Sequence, residues 1–218
     1  MINIKKILSI GIWNTIRLNY QYFGIRGIIH GYILVARRTV IVTKGILHYE
    51  GTPHFGCIQI GFHSVGIADY KYERSIWRNQ GNIFVKGRMF LGSGTRIDNS
   101  GILYLGANLF ISSNSSIECT KKIVIGDDCL MSWDCIVMDS DFHKIYNRQD
   151  HVLLNPPGEI VIGNHVWIGC RCVILKNYVI RDGAVIAAGS LLASSDISEN
   201  SIVCSNGKVI RENIIWEN

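Results

Sequence analysis

The chain has 218 residues, of which 48% are hydrophobic and only 18% are charged. This length fits one domain, or one domain with an appendage, and the composition excludes both a disordered chain and a collagen-like one. The formal net charge of +5 is unevenly distributed, because residues 1–50 hold seven basic side chains and one acidic one. The rest of the chain is almost neutral. The sequence therefore predicts no basic surface for nucleic acid.

The N-terminal segment combines this positive charge with many aliphatic and aromatic residues. No uncharged apolar run reaches the ~18 residues that a membrane span needs, because Arg17, Arg26 and the pair Arg37 and Arg38 interrupt it. A signal peptide would need a cleavage site of small residues, and none follows before Arg17. We expect a cytoplasmic protein in which residues 1–38 form a helical cap over the open end of the fold. The alternative is a peripheral helix with weak contact to the inner membrane face.

The seven cysteines include no Cys-x-x-Cys pair. An odd number of cysteines without such pairs argues against a disulfide framework and against a structural zinc site. We therefore expect reduced thiols that fill interior positions, and we expect no bound metal.

A six-residue repeat runs through the C-terminal half of the chain. Every sixth residue from 162 is aliphatic: Ile162, Ile168, Ile174, Ile180, Ile186 and Leu192. The period recurs upstream, with slips of two residues, at Leu91, Ile97, Leu105, Ile111, Ile117, Ile125, Met131 and Val137. Gly, Asn and Asp follow many of these positions, as turns with positive φ require. A chain that repeatedly forms a short strand and then turns has this period, and three units give a coil of about 18 residues that stacks on its neighbours.

This register resembles the repeat of the hexapeptide-repeat acyltransferases, in particular the sugar O-acetyltransferases that act on galactosides, maltose and surface polysaccharides. The resemblance is strong over residues 83–211. It implies an all-β solenoid, a left-handed parallel β-helix, over residues 39–211, with an N-terminal helical or irregular cap and a C-terminal tail at 212–218. It also implies a homotrimer that binds coenzyme A between neighbouring subunits.

The repeat breaks once, and residues 139–159 are predicted to form a loop extruded from the coil. Loops on a rigid scaffold often carry function. His143 lies near the start of this loop, and Asp139 and Asp141 closely precede it. In the resembled enzymes a histidine of the corresponding loop is the general base. Imidazole suits that role because it titrates close to neutral pH.

The residues around this histidine have two interpretations each. We expect one of the two aspartates to orient the imidazole or to contact the sugar, but both are also typical turn residues. Trp133 and Asp134 are predicted to offer a stacking face and a hydrogen-bond acceptor to the sugar, and Trp133 is nearly as well explained as an exterior residue. A plain surface histidine is the alternative for His143. His151 and His165 are interpreted as loop structure and as an exterior position of the repeat.

Acetyl-CoA, the acyl donor, is placed by the resemblance along the outer surface of two later coils. The predicted contacts are Trp167, Cys170, Ala188, Ser190, Lys208 and Arg211. The small residues among them let the pantetheine arm approach the backbone. The two cations keep the family's spacing for contact with the phosphates, although Cys204 and Asn206 stand where the family has Gly and Pro. A solvated pair of surface cations is the alternative.

These patterns favour a coenzyme-A-dependent O-acetyltransferase that moves an acetyl group from acetyl-CoA to a sugar hydroxyl. The acceptor is expected to be a bacterial surface polysaccharide or its precursor. Two alternatives share the fold: an N-acyltransferase acting on an amino sugar, and a β-helix protein that binds without catalysis. A metalloenzyme of the γ-carbonic-anhydrase type would need three histidines converging on zinc, which the spacing of the histidines does not favour.

Overall fold

The computed structural model describes residues 7–193 and 196–217. Within these ranges a helical segment, α1 (Ile12–His30), which is kinked at Gly24, precedes 23 strands that lie in three sheets, and a short 3-10 turn occupies Ser205–Gly207. Residues 1–6 of the predicted cap and residue 218 of the predicted tail lie outside the described residues. No helix within the described ranges has the length and hydropathy needed to cross a membrane.

The strands of each sheet stack in chain order, and up to β22 every third strand belongs to the same sheet. The first sheet contains β1 (Ile33–Val35), β4 (Ile58–Phe62), β7 (Met89–Gly92), β10 (Leu109–Ile111), β13 (Leu130–Met131), β16 (Trp167–Ile168), β19 (Val185–Ile186), β22 (Ile202–Cys204) and β23 (Lys208–Arg211). The second contains β2 (Thr39–Thr43), β5 (Ser75–Asn79), β8 (Arg96–Asn99), β11 (Ser116–Cys119), β14 (Ile136–Met138), β17 (Val173–Leu175) and β20 (Leu191–Leu192). The third contains β3 (Ile46–Glu50), β6 (Asn82–Lys86), β9 (Ile102–Leu105), β12 (Lys122–Ile125), β15 (Ile160–Ile162), β18 (Tyr178–Ile180) and β21 (Asp196–Ile197).

The chain winds from the first sheet to the second, then to the third, and back to the first. The strand pairs are parallel, except that β23 folds back antiparallel to β22. The first corner joins the first and second sheets, the second corner joins the second and third, and the third corner joins the third to the first. This winding is a parallel β-helix with three sides.

The coils shorten along the chain. In an earlier coil Ser116 pairs with Ile136, whereas after the loop Val173 pairs with Leu191, which is a shorter step along the sequence. The slips of two residues in the repeat are therefore two additional residues in each of the earlier coils. The winding also begins earlier than predicted, because β1 lies within the segment assigned to the cap and pairs with β4.

The interior of the coils is filled as the repeat predicts. Every aliphatic repeat position from Leu91 to Leu192 is at most 2% exposed, and burial of each such side chain contributes roughly 1.5–3 kcal/mol. The small fifth positions are also buried, among them Cys129, Cys135 and Cys172. Burial raises the pKa of Cys129 to about 11, so its thiol stays protonated and acts as an apolar filler. All seven cysteines are free.

Helix α1 satisfies the backbone groups at the open edge of β1. The side-chain amide of Asn19 donates to the carbonyl of Ile33 at 2.7 Å and its oxygen accepts from the Ile33 N–H at 3.0 Å. The hydroxyl of Thr15 accepts from the N–H of Val35 at 3.1 Å. An unpaired edge strand is a template for association with another chain, so the helix protects this end of the solenoid.

Candidate functional site

The predicted loop leaves the coil at the second corner, because β14 ends at Met138 and β15 begins at Ile160. Asn155 holds the two ends of this loop together. Its side-chain nitrogen donates to Oδ2 of Asp141 at 2.8 Å and to the carbonyl of His143 at 2.8 Å. Its side-chain oxygen accepts from the N–H of Ile145 at 2.6 Å. A single asparagine therefore fixes the backbone on both sides of the candidate base.

A lysine of the next coil anchors the same part of the loop. Lys176 follows β17 at the second corner, and its Nζ lies 2.5 Å from Oδ2 of Asp141 and donates to the carbonyl of Asn155 at 3.2 Å. The ammonium group and the Asn155 amide both stabilise the carboxylate, so the pKa of Asp141 lies below its usual value. Sequence reasoning did not identify Lys176 or Asn155, whose partners become visible only when the coil is closed.

His143 itself is exposed on the outer side of this anchored segment. Its N–H donates to the carbonyl of Asp141 at 2.7 Å across Phe142, which has a φ of 59°. Within the described residues we find no hydrogen bond to its imidazole ring. Lys176 and Asn155 both bind Oδ2 of Asp141, and no hydrogen bond joins this carboxylate to the His143 ring among the described residues.

Asp139 has a different role from the one expected. Its side chain is 0% exposed, and its two oxygens accept from the N–H groups of Thr120, Lys121 and Lys122 and from the Thr120 hydroxyl at 2.7–2.9 Å. These four hydrogen bonds satisfy both oxygens of the carboxylate, with two donors on each. The prediction that Asp139 supports His143 or contacts the sugar is therefore corrected: it closes the second corner of the preceding coil.

Trp133 and Asp134 do not lie beside the loop. They occupy the first corner, where Asp134 has a φ of 58° and its carboxylate lies 3.8 Å from the side chain of Arg171 on the next coil. Trp133 is half-buried, and its carbonyl accepts from the N–H of Arg171 at 3.0 Å. Both residues thus belong with the predicted coenzyme A contacts and not with His143 of the same chain.

The predicted pantetheine contacts divide between accessible and buried positions. Trp167 is 40% exposed on the outer face of the first sheet, and its Nε1 donates to the Ser132 hydroxyl at 3.3 Å. Cys170 and Ala188 are accessible at the first corner. Ser190 is 2% exposed, and its hydroxyl donates to the carbonyl of Ala187 at 2.6 Å inside the coil. The Ser190 side chain therefore faces the interior and not a ligand groove.

The two predicted phosphate contacts lie on the last strand of the first sheet. Lys208 and Arg211 begin and end β23, and both are exposed. No acidic partner of either cation is found in the part of the chain that the structure describes. Two strands separate β23 from β16, so Lys208 is about three strand spacings, ~14 Å, from the level of Trp167.

The C-terminal segment is folded back over the third corner. Trp216 is 8% exposed, and its ring stacks on His165 with 4.0 Å between ring centroids. Its Nε1 donates to the His165 carbonyl at 2.9 Å, and its ring lies 6.0 Å from that of Trp167. This packing was not predicted, and it gives His165 a structural role.

The structure does not bring the candidate base and the candidate donor site together in one chain. The loop follows the strands of the second sheet, whereas Trp133, Cys170 and Ala188 precede them. A strand of three residues spans about 10 Å, so the two groups lie at opposite ends of the second sheet. The histidines are also dispersed, since His165 is at the third corner. Among residues 7–193 and 196–217, no group of three or more His, Cys, Asp or Glu side chains is placed to hold a metal ion.

Comparison with known proteins identifies the repeat. Residues 159–194 match the family model of the bacterial transferase hexapeptide, described as six repeats. Over 155 residues the chain is 25% identical to a putative lipopolysaccharide biosynthesis O-acetyl transferase of Escherichia coli, which covers 64% of this chain and 79% of that protein. Over 96 residues it is 33% identical to the polysialic acid O-acetyltransferase of Neisseria meningitidis, covering 44% of this chain and 45% of that protein.

A solved structure with a similar fold is that of the polySia-specific acetyltransferase NeuO. Its TM-score is 0.57 at 20% sequence identity, with 85% of this chain and 79% of that chain covered. The fold predicted from the repeat, a left-handed parallel β-helix, is thereby confirmed.

Proposed function

Since this chain is a hexapeptide-repeat acyltransferase, we propose that it transfers an acetyl group from acetyl-CoA to a sugar hydroxyl. The proposed acceptor is a bacterial surface polysaccharide or its precursor. The observation that carries this proposal is the anchored loop at the single break of the repeat, which presents His143 on the outside of the coil. The O-acetyltransferases named above, which share the repeat or the fold, support the reaction class.

His143 acts as the general base. Its imidazole takes the proton of the sugar hydroxyl while that oxygen attacks the thioester carbonyl carbon. The tetrahedral intermediate collapses, the carbon–sulfur bond breaks, and the departing thiolate takes the proton back from the imidazolium. The thioester is already activated, so no enzyme nucleophile is required. Backbone N–H groups at a corner are suitably fixed to stabilise the oxyanion.

Asp141, Asn155 and Lys176 are the positioning residues of this site. They do not touch the imidazole, but they fix the backbone of His143 on both sides. A base must be held within hydrogen-bond reach of the hydroxyl, and a small displacement costs a large part of the rate. An anchor to the rigid coil supplies this precision to a residue that lies on a loop.

The donor binds along the first corner and the first sheet, where Trp167, Cys170 and Ala188 are accessible, with Lys208 and Arg211 near the phosphates. Because these residues and His143 occupy opposite ends of the second sheet, the complete site forms between neighbouring copies of the chain. A homotrimer provides this arrangement with three equivalent sites. In it, Trp133 and Asp134 of one copy lie beside the loop of the next.

Residues 1–38 give weak contact with the inner membrane face, where a lipid-linked precursor would be available. In α1 the side chains of Ile12, Trp13 and Tyr20 are 67%, 83% and 61% exposed. Arg17 and Arg26 are exposed on the same helix, and residues 1–49 hold no acid. Trp and Tyr favour membrane interfaces, and each basic residue near an anionic surface contributes ~1 kcal/mol. Co-sedimentation with anionic liposomes should occur at low salt and disappear at high salt.

The function is tested with labelled acetyl-CoA and the purified surface glycan of the source organism, followed by mass analysis. Transfer to a hydroxyl, seen as an acetyl ester, supports the proposal. Transfer to an amine, seen as an acetamide, would identify an N-acyltransferase, and binding of the glycan without transfer would identify a non-catalytic protein.

A second experiment tests the shared site. A His143→Ala chain and a chain with Lys208→Ala and Arg211→Ala are co-expressed with different tags and purified through both. At acetyl-CoA concentrations far below the Michaelis constant, where both variants are impaired, mixed oligomers should regain part of the lost activity, because some sites combine an intact base with an intact donor groove. No recovery, or a fully active monomer, would refute the shared site.

A further inference from the structure

A cavity of about 780 Å³ opens at the first corner of the first two coils. Its walls are Leu8 and Ser9, the corner residues Arg37 and Arg38, and part of the segment 63–74, which is inserted between β4 and β5. This volume lies within the range of ligand pockets, roughly 300–1,000 Å³. None of the residues assigned to the acetyl-transfer site lines it.

The inserted segment is fixed on the two following coils. Glu73 accepts hydrogen bonds from the Ser93 hydroxyl at 3.2 Å and from the Asn114 amide at 2.9 Å. The hydroxyl of Ser64 lies 2.8 Å from that of Ser113. These contacts hold the wall of the cavity in place, so a ligand would not have to order it on binding.

The cavity carries positive charge that the protein does not neutralise. Arg37, Arg38 and Lys71 line it, and within the described residues none of the three forms a salt bridge. Glu73 is the one acidic side chain in the lining, and both of its oxygens are already hydrogen-bonded. Arg37 donates to the carbonyl of Leu8 at 3.2 Å, which holds its guanidinium group at the wall. An anionic ligand would meet this group and that of Arg38, and the planar donors of a guanidinium match a carboxylate.

Aromatic rings lie beside these cations. The guanidinium carbon of Arg38 is 5.8 Å from the ring centroid of Tyr72, and the rings of His63 and Tyr70 are 5.2 Å apart. Tyr70 and Tyr72 are 45% and 75% exposed. A tyrosine offers an apolar face and a hydroxyl, which complement the ring and the hydroxyl groups of a sugar.

The cavity and the proposed acetyl-transfer site share the first corner. Trp133 lies three coils beyond the inserted segment, at a distance of ~14 Å for a spacing of about 4.8 Å per coil. We infer that the cavity binds a carboxylate-bearing segment of an extended saccharide acceptor, while a different residue of the same saccharide is acetylated. This inference rests on the proposed function, because that function makes a saccharide the acceptor.

The test measures binding without acetyl-CoA, by calorimetry at low salt. The probes are hexamers of galacturonic acid and of sialic acid, with the methyl-esterified galacturonate hexamer as the neutral counterpart. We expect one of the acidic hexamers to bind, and the neutral hexamer to bind at least ~10-fold more weakly. Arg38→Gln combined with Lys71→Gln should weaken binding ~10-fold or more, as loss of charge-assisted hydrogen bonds predicts.

Lys44→Gln combined with Arg88→Gln is the matched control, since it removes the same two charges outside the cavity and should change the affinity less than twofold. An equal loss of affinity in both double variants would mean that the hexamer is attracted by the net charge of the protein and not by the cavity, and it would overturn the inference. Failure of both acidic hexamers to bind would overturn it as well, and so would binding of uridine diphosphate in their place. His143→Ala should leave hexamer binding unchanged. Binding in the cavity is therefore measured independently of catalysis, and a failure of the proposed function can be told apart from a failure of this inference.

Discussion

Asp139 and Asp141 are two residues apart, but their carboxylates face opposite environments. Asp139 is buried at the second corner and accepts four hydrogen bonds from the coil beneath it. Asp141 is outside the coil and forms an ion pair with Lys176. The same two residues that resemble a catalytic motif in the sequence therefore join the loop to two different coils, the first to the preceding coil and the second to the following one.

Asp139→Asn should destabilise the fold by about 1–3 kcal/mol, the cost of leaving a buried hydrogen-bonding group unsatisfied. An amide has one acceptor oxygen, and its NH2 group would face backbone N–H groups that need an acceptor. Urea unfolding measures the change. Asp141→Asn is the matched control and should leave the free energy of unfolding nearly unchanged. Equal destabilisation by both variants would contradict the distinction drawn between them.

Asp141→Asn should lower turnover by ~10-fold through displacement of the loop, with little change in the Michaelis constant for acetyl-CoA. Lys176→Met should have the same effect, and the double variant should be no worse than either single one, because both remove one contact. Independent, additive losses would show that the two side chains do not act through their ion pair.

The anchor should also depend on pH. The pKa of Asp141 is held below its usual value by Lys176 and Asn155, so the contact is fully formed above the ordinary aspartate value of about 3.9. It is lost as the pH falls through the lowered pKa. Hydrogen exchange of the Ile145 N–H, which donates to Asn155, should lose protection only in that acidic range. Loss of protection at neutral pH would contradict the assignment.

His143→Ala should lower turnover by about 100-fold or more, the usual scale for a lost general base. The side chain is exposed and its ring has no partner among the described residues, so the melting temperature should not change. His151→Ala, in the same loop, is the control for a general effect of loop substitutions. A loss of only a few-fold, or an equal loss in both variants, would exclude His143 as the base.

Lys208→Ala with Arg211→Ala should raise the Michaelis constant for acetyl-CoA by roughly 5- to 30-fold, equivalent to about 1–2 kcal/mol for lost charge-assisted contacts. Turnover should change little, because remote phosphates are bound equally in the ground state and the transition state. The Lys44→Gln and Arg88→Gln variant again controls for net charge. An unchanged Michaelis constant would place the phosphates elsewhere.

Most of the fold could be predicted from the sequence because the repeat is itself the structural unit. The aliphatic positions from Leu91 to Leu192 define the interior, and the break in their period defines the loop. The role of Asp139 could have been found in a second period, since Asn79, Asn99, Cys119 and Asp139 recur at equal intervals at one corner.

Other features depend on contacts that no local pattern encodes. Lys176 meets Asp141 only because the extruded loop returns to the adjacent coil. Trp216 reaches Trp167 because the chain folds back after β23, and the cavity walls come from segments that are far apart in the sequence. Exposed side chains at corners have no period, so their partners could not be predicted.

The extruded loop at the second corner lowers the stability of the fold only slightly. Val137 pairs with Ile174 across the loop. The number of residues between these two partners is less than twice the number between Ile117 and its partner Val137, which belong to a coil without a loop. In a chain-entropy estimate, each doubling of a closed segment costs only about 0.6 kcal/mol. The coils on either side stack with their usual parallel pairing. A scaffold of this kind can exchange one loop for another of different length and sequence, so acceptor specificity is free to diversify while the core remains the same.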